Sequence, residues 1–136
     1  MSRKLFVCDY CLTPLRTIQK AGILCEEKKI IAIGGESSFE IEPDLEVTEI
    51  RNAYAIPGMI DTHIHGAGGF DSSSAFDEKA NFDKMCSILA SHGICSFVPT
   101  ITSGPPQTML EAISSIVKFA SAHDYSGAKP VGLHIE

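Results

Sequence analysis

Two histidines stand two positions apart at the end of an apolar segment of the chain. His63 and His65 close residues 57–65, and Gly66 follows them directly. On a β-strand, side chains at positions i and i+2 leave the same face, about 6.6 Å apart, so the two imidazoles can converge on one metal ion. A metal that keeps a coordination position open to water is suited to hydrolysis. Two packed histidines at a strand end are the alternative that the spacing alone leaves open.

The residues around this pair alternate between strand and helix patterns. Residues 57–65 form an apolar strand, and residues 94–99 are a near-continuous apolar run, which is typical of a strand buried on both faces. Residues 131–136 are the third predicted strand. A helix with one apolar face is predicted in each of the two intervals between strands. The faces consist of Phe82, Met85, Cys86 and Leu89 in the first helix, and of Met109, Ile113, Ile116, Val117 and Ala120 in the second.

This β-α-β-α-β order predicts a parallel sheet with right-handed crossovers. The carboxyl ends of parallel strands meet at one edge of the sheet, where barrel enzymes place their chemistry. His63 and His65 end the first strand. Thr100 and Thr102 come at the end of the second strand, and Glu136 ends the third. We therefore expect the chemistry of the chain to lie at this edge.

The first part of the chain has a different pattern. Its extended segments are short and are separated by charged or glycine-rich turns, which predicts β-hairpins. The segments are residues 5–8, 21–25, 30–33 and 47–50. The pattern changes near residue 56, so we divide the chain into residues 1–56 and 57–136.

Four stretches of the sequence resemble motifs of a known enzyme family. The first contains the His-x-His of the amidohydrolase superfamily, whose members are metal-dependent hydrolases. Together, the four stretches resemble the N-acetylglucosamine-6-phosphate deacetylases and occur in the order found in that family. They are Pro-Gly-Met-Ile-Asp-Thr-His-Ile-His at 57–65, Gly-Ala-Gly-Gly-Phe-Asp at 66–71, Pro-Thr-Ile-Thr at 99–102 and Gly-Leu-His-Ile-Glu at 132–136.

The resemblance implies a fold for each part of the chain. Residues 57–136 would be the start of a (β/α)8 TIM-type barrel, with about three of its eight βα units. Residues 1–56 would be part of a small β-sandwich, completed by strands from the far carboxyl end of the protein. A complete barrel needs about 250 residues, whereas this chain has 136. We therefore interpret the chain as the amino-terminal piece of a larger enzyme.

The resemblance also assigns roles to residues at the strand ends. Glu136 would be a direct metal ligand, and His63 and His65 would bind a second metal or support a single-metal site. The site would hold one or two divalent ions, with zinc expected first and iron or another transition metal as the alternative. A carboxylate ion-paired at the barrel rim is the alternative for Glu136. Asp61 is expected to orient a ligating imidazole, and His134 either supports the site or is a hydrogen-bonded interior histidine.

For the complete enzyme, the resemblance implies hydrolysis of the amide of N-acetylglucosamine-6-phosphate to glucosamine-6-phosphate and acetate. The general base would be an aspartate beyond residue 136. Residues 66–69 resemble a phosphate cradle only loosely, and a close approach of backbone explains their glycines better. Two alternative interpretations stay open. In the first, the protein is another amidohydrolase, dihydroorotase-like or aminoacylase-like; in the second, it is a non-catalytic truncated barrel. We expect residues 1–136 alone to be inactive, because the general base is missing from them.

Composition narrows the cellular setting of the protein. A net charge of -6 and a pI near 5.3 argue against a surface for nucleic acid or for an anionic membrane. No apolar run approaches the roughly 18 residues of a membrane span. The five cysteines lack a disulfide-framework spacing, so we expect free thiols and a cytoplasmic protein. The resemblance adds an amino-sugar phosphate as the small-molecule partner and a homodimer as the assembly of the complete protein.

Overall fold

A computed structural model describes residues 2–74, 79–122 and 126–136 of the chain. It divides the chain into two units, Met1–Pro57 and Gly58–Glu136. Within the described residues, no helix has the length and apolar character that crossing a membrane requires.

The first unit is built from four strands: β1 (Arg3–Leu12), β2 (Thr17–Glu26), β3 (Lys29–Gly35) and β4 (Glu46–Ala55). They form one sheet in the order β3-β2-β1-β4. Antiparallel pairing joins β1 to β2 and β2 to β3, so these three strands form two hairpins. β4 pairs with β1 in parallel. The sequence analysis expected only hairpins and did not anticipate this parallel pair.

The inner strand β1 changes its buried face along its length. Leu5 and Val7 are buried at the alternate positions that the period of a strand requires. The register with β4 then shifts between Cys8 and Tyr10. Beyond the shift, Cys11 packs in the same buried cluster as Cys8, although a spacing of three residues puts side chains on opposite faces of a regular strand. The irregularity in β1 therefore brings both thiols to one side.

The second unit alternates strands and helices: β5 (Met59–Ile64), β6 (Gly66–Ala67), β7 (Phe70–Asp71), α1 (Lys79–Ser91), β8 (Ile94–Ile101), α2 (Pro106–Ser121), β9 (Lys129–Pro130) and β10 (His134–Ile135). β8 pairs in parallel with β5 on one side and with β9 and β10 on the other. The predicted α/β class and parallel pairing are therefore confirmed for this unit. β6 and β7 form a separate antiparallel pair.

The apolar face predicted for the first helix is buried in the structure. Phe82, Met85 and Cys86 of α1 have no exposed surface, and Leu89 has almost none. Burial, and to a smaller extent the nearby Asp83 carboxylate, raises the pKa of the Cys86 thiol to about 11. Cys86 therefore behaves as a small apolar core residue and stays protonated at neutral pH.

The buried face of α2 agrees with the prediction in part. Ile116 is buried, and Met109 and Ile113 pack against the core as predicted. Phe119 is buried as well, whereas Val117, which was predicted to face the core, is 53% exposed. The Phe119 ring packs with its centroid 5.3 Å from that of Phe82. An aromatic ring buries more apolar area than a valine side chain, so the helix turns Phe119 inward and leaves Val117 outside. Helical spacing alone did not distinguish these two faces.

Pro99 marks an interruption in the pairing of β8 with both of its neighbours. A proline has no backbone N–H, so within a sheet it cannot donate a ladder hydrogen bond. The register of β8 with β5 shifts between Asp61 and Ile64. On the other side, pairing stops at the end of β9 and resumes at His134. In place of the third strand predicted for residues 131–136, the structure therefore has two short strands, Lys129–Pro130 before that range and His134–Ile135 within it.

Candidate metal centre

Three side chains with metal-binding atoms converge at the carboxyl ends of the parallel strands. His63 lies in β5, His65 directly follows it, and Glu136 directly follows β10. The two Nε2 atoms are 3.2 Å apart. The Glu136 carboxylate lies 3.2 Å from Nε2 of His63 and 3.4 Å from Nε2 of His65. One ligand atom from each residue lies within 4.8 Å of the others, so the three can face a single ion.

The chemistry of this donor set fits a divalent transition metal. Two imidazole nitrogens and one carboxylate are the kind of ligands that zinc takes in catalytic sites, where a further position is left to water. The side chains of His63, His65 and Glu136 are 48%, 47% and 41% exposed. The cluster is therefore open to solvent and to a small substrate. The residues present fit the group that the sequence analysis expected.

A hydroxyl lies beside one of the two imidazoles. Nδ1 of His65 lies 3.3 Å from Oγ1 of Thr102, while Nε2 of the same ring faces Glu136. A ligating histidine uses one ring nitrogen for the metal and usually donates a hydrogen bond from the other. The Thr102 contact is compatible with that arrangement because a hydroxyl oxygen can accept the Nδ1 hydrogen.

The backbone between the two histidines is held by a buried threonine. The Ile64 N–H donates to Thr100 Oγ1 at 3.1 Å. Thr100 has no exposed surface, and its hydroxyl donates to the Val98 carbonyl at 3.3 Å. This side chain supplies an acceptor where the ladder beside Pro99 is irregular, so the end of β5 stays attached to β8.

Glu136 is attached to the same strand through its backbone. Its N–H donates to the carbonyl of Ile101 at 3.1 Å. The Ser103 hydroxyl donates to the Glu136 backbone carbonyl. Both contacts come from the end of β8 or the residues just after it, so the carboxylate is held beside the histidines by its main chain.

Asp61 and His134 also lie next to the cluster, with contacts that differ from the expected ones. Asp61 Oδ1 accepts a hydrogen bond from the backbone N–H of His63 at 3.1 Å, so its observed contact is with the main chain of a candidate ligand. The His134 ring packs edge-on against His63, with centroids 4.9 Å apart. Nδ1 of His134 is buried and has no hydrogen-bond partner among the described residues.

The structure adds two residues to the site that the sequence analysis did not single out. Ser73 Oγ accepts a hydrogen bond from the Thr102 N–H at 3.0 Å, and Ser103 contacts Glu136. The Ser73 N–H in turn donates to Asp71 Oδ1 at 2.8 Å. An aspartate followed two residues later by a backbone donor is a recognisable turn signal, but it does not reveal a contact with a residue 29 positions away.

The glycine after the histidines lies where the backbone passes closely. A Cβ at Gly66 would lie 1.9 Å from the carbonyl oxygen of Phe70. The chain turns back through β6 and β7, and the Ser72 N–H donates to the His65 carbonyl at 2.7 Å. The close approach expected at this glycine is therefore observed.

Comparisons with known proteins identify relatives for the chain, although no protein-family model matches it. Human N-acetylglucosamine-6-phosphate deacetylase is 35% identical over 82 residues, which are 59% of this chain and 19% of that protein. The enzyme of the same name from Bacillus subtilis (strain 168) is 27% identical over 139 residues, covering 100% of this chain and 34% of that protein. N-acetylgalactosamine-6-phosphate deacetylase from Escherichia coli O157:H7 is 29% identical over 127 residues, covering 93% of this chain and 33% of that protein. The chain thus spans about a fifth to a third of the length of these relatives.

Solved structures of the same enzyme have a similar fold. The Pasteurella multocida N-acetylglucosamine-6-phosphate deacetylase superimposes with a TM-score of 0.81 at 20% identity, over 98% of this chain and 34% of that one. A mutant of the Mycobacterium smegmatis enzyme, in complex with N-acetyl-D-glucosamine-6-phosphate, gives 0.79 at 24% identity over 99% of this chain and 32% of that one. At these identities the likeness establishes the fold. The sequence relatives confirm the resemblance found in the motifs: the chain is similar, over part of their length, to the N-acetylglucosamine-6-phosphate deacetylases.

Proposed function

We propose that the protein carrying this chain is a metal-dependent hydrolase that removes the acetyl group of N-acetylglucosamine-6-phosphate. The observation that carries the proposal is the convergence of His63, His65 and Glu136 within 4.8 Å. This convergence occurs in a chain whose relatives are sugar-phosphate deacetylases. The products are glucosamine-6-phosphate and acetate.

The proposal gives each residue of the cluster a definite task. His63 and His65 offer Nε2, and Glu136 offers its carboxylate, to a divalent ion, with zinc favoured by two nitrogens and one oxygen. Such an ion, when bound, supplies a Lewis acid and lowers the pKa of a coordinated water to about 7. The open position of the three side chains leaves room for the acetamide group of a substrate. Asp61 holds the backbone of His63 and thereby the direction of its ring.

The proposal extends to the architecture of the whole protein. Residues 57–136 supply the first units of a (β/α)8 barrel. This is supported by the parallel pairing of β5, β9 and β10 with β8 and by the helices that connect these strands. Residues 1–56 supply part of a β-sandwich. The general base is an aspartate outside this chain, and the complete protein is a cytoplasmic homodimer.

A second substrate is favoured by one observation. The Escherichia coli O157:H7 relative, which matches 93% of this chain, is an N-acetylgalactosamine-6-phosphate deacetylase. The two sugar phosphates differ only in the configuration of one hydroxyl group. Selection between them depends on groups that hydrogen-bond to that hydroxyl, and those groups are not among the residues of the metal cluster.

A substrate panel tests the proposed function. The protein is loaded with zinc and supplied separately with N-acetylglucosamine-6-phosphate, N-acetylgalactosamine-6-phosphate, unphosphorylated N-acetylglucosamine and dihydroorotate. We expect acetate release to be fastest with one of the two sugar phosphates and slow without the phosphate. A chelator-treated sample is the matched control and should lose the activity. Faster turnover of dihydroorotate than of either sugar phosphate would reject the proposal.

A further inference from the structure

One short segment contacts every residue of the metal cluster or its immediate neighbour. Residues 100–103 run from the end of β8 into the following loop, and three of them, Thr100, Thr102 and Ser103, make hydroxyl contacts there. The contacts are Ile64 N–H to Thr100 Oγ1 at 3.1 Å, His65 Nδ1 to Thr102 Oγ1 at 3.3 Å, and Ser103 Oγ to the Glu136 carbonyl. Only the Thr102 contact reaches a ring nitrogen, so Thr102 has the most direct influence on how a candidate ligand is presented.

The His65 ring has two nitrogens with different surroundings. Nε2 lies 3.4 Å from Glu136 and 3.2 Å from Nε2 of His63. Nδ1 lies against the Thr102 hydroxyl. A neutral imidazole carries its hydrogen on one nitrogen and a lone pair on the other. If Thr102 accepts the hydrogen on Nδ1, the lone pair is on Nε2, where the cluster converges.

Thr102 is itself fixed by a second chain of contacts. Its N–H donates to Ser73 Oγ at 3.0 Å, and the Ser73 N–H donates to Asp71 Oδ1 at 2.8 Å. Asp71 belongs to β7, which pairs with the strand that begins at Gly66. The hydroxyl is therefore anchored to the backbone that immediately follows His65, so ring and acceptor are positioned by the same hairpin.

We propose that Thr102 is a positioning residue of the metal centre: its hydroxyl accepts the Nδ1 hydrogen of His65 and holds Nε2 toward Glu136. The inference rests on the proposed function, because it requires His65 to be a metal ligand. It goes further by assigning the orientation of that ligand to a hydroxyl outside the donor set. Loss of such an outer partner typically reduces metal affinity about 10-fold to 100-fold.

Cobalt binding tests this inference without relying on activity. Co²⁺ is titrated into the metal-free protein, and both the affinity and the visible absorption spectrum are recorded for each variant. Thr102→Val keeps the shape of the side chain and removes the hydroxyl, whereas Thr102→Ser keeps the hydroxyl. Thr48→Val, in β4 of the first unit, is the matched control for the same chemical change. Thermal unfolding of each metal-free variant shows whether the fold is retained.

We expect Thr102→Val to bind Co²⁺ about 10-fold or more weakly with an altered spectrum. Thr102→Ser should recover most of the affinity, and Thr48→Val should match the wild type. Wild-type affinity and spectrum in Thr102→Val, together with weak binding in His65→Asn, would overturn the inference and leave the metal centre intact. Unchanged binding in His65→Asn would instead remove the metal centre on which the inference depends. Weak binding in both threonine variants, with intact folds, would show that shape and not the hydroxyl matters, and would also overturn it.

Discussion

β1 is one of the two inner strands of its sheet and β8 is the inner strand of the parallel sheet, and the pairing of each with a neighbouring strand is irregular. In β1, the register with β4 shifts between Cys8 and Tyr10. The backbone N–H of Asn52 donates there to the carboxylate of Asp9. Asn52 adopts a left-handed conformation with φ of 55°, which asparagine tolerates better than most residues. The Asp9 side chain on β1 thus accepts the hydrogen bond of a backbone N–H of β4 at the point where the register shifts.

The same arrangement occurs at β8 with different chemistry. There the displaced neighbour is Ile64 of β5, and its N–H donates to the Thr100 hydroxyl. Thr100 is neutral and fully buried, whereas Asp9 is charged, partly exposed and 3.9 Å from the Arg51 guanidinium. An irregular strand pair is therefore not in itself the mark of a site. The β8 interruption differs because candidate metal ligands flank the displaced residue.

The two strand irregularities differ in what the loss of their side-chain hydrogen bond would affect. At β1, water can replace the side-chain contact, so its loss affects only the local pairing of β1 with β4. At β8, the contact is partly buried, its acceptor Thr100 has no exposed surface, and it holds the residue between His63 and His65. Perturbations on the β8 side should therefore change both stability and metal binding, and perturbations on the β1 side should change stability slightly or not at all.

The largest effect is expected at Gly66, directly after the histidines. A methyl group there would collide with the Phe70 carbonyl oxygen, and neither backbone can move without displacing the hairpin. We expect Gly66→Ala to lower the free energy of unfolding by about 3 kcal/mol and to weaken Co²⁺ binding. Urea denaturation measures the first quantity. Gly35→Ala is the control, because an added Cβ there meets nothing within 4 Å. Equal denaturation midpoints for the two variants would contradict the close-approach argument.

A smaller loss is expected when the β8 contact is removed. Thr100→Val deletes the acceptor of the Ile64 N–H and leaves that partly buried donor without this partner. The cost of such an unsatisfied group is about 1–3 kcal/mol, and the end of β5 should carry the histidines out of alignment. Thr100→Ser retains the acceptor and serves as the control. If the valine and serine variants have the same unfolding free energy and the same Co²⁺ affinity, the hydroxyl has no special role.

Removing the corresponding acceptor at β1 should have a smaller effect than Thr100→Val. Asp9→Ala removes the acceptor of the Asn52 N–H, but solvent can reach this position. We expect a loss below about 1 kcal/mol and no change in Co²⁺ affinity. Differential scanning calorimetry and cobalt titration give the two values. A loss as large as that of Thr100→Val would show that burial does not separate the two strand interruptions.

The smallest expected effect is a gain in stability from a substitution in the first unit. Glu27 lies in the turn between β2 and β3 with φ of 55°, a conformation that costs a residue with a Cβ about 1 kcal/mol. Glu27→Gly should therefore raise the free energy of unfolding by up to about 1 kcal/mol. Lys28→Gly, at the neighbouring turn position without a positive φ, should lower it. The reverse order of the two glycine variants in chemical denaturation would contradict this assignment of strain.

Much of the second unit could be predicted from the spacing of apolar residues along short segments of the sequence. The apolar positions of the first helix follow a spacing of three and four residues, and every one of them is buried. The order of the strands likewise predicted that His63, His65 and Glu136 lie at one edge of the sheet, where the structure places them. These predictions succeeded because they depend on the period of an element and on the direction of parallel strands.

The hydroxyl contacts were not predictable in the same way. Thr100 and Ile64 are 36 positions apart, and their contact exists only because the register shifts beside Pro99. The proline is visible in the sequence, but the direction and size of the shift depend on how the neighbouring strands pack. The inward turn of Phe119 in place of Val117 has the same origin, since it depends on a ring in another helix.

The metal content of ligand variants tests the central claim most directly. The protein, Glu136→Gln and His63→Asn are each equilibrated with zinc, dialysed and analysed for bound metal. We predict stoichiometric zinc in the wild type, the greatest loss in Glu136→Gln and a smaller loss in His63→Asn. The family resemblance makes Glu136 a direct metal ligand, whereas His63 would bind a second metal or support a single-metal site. Thr48→Val controls for handling and should keep its zinc. Full retention of zinc in Glu136→Gln would contradict the account, all the more so if His63→Asn lost all of it.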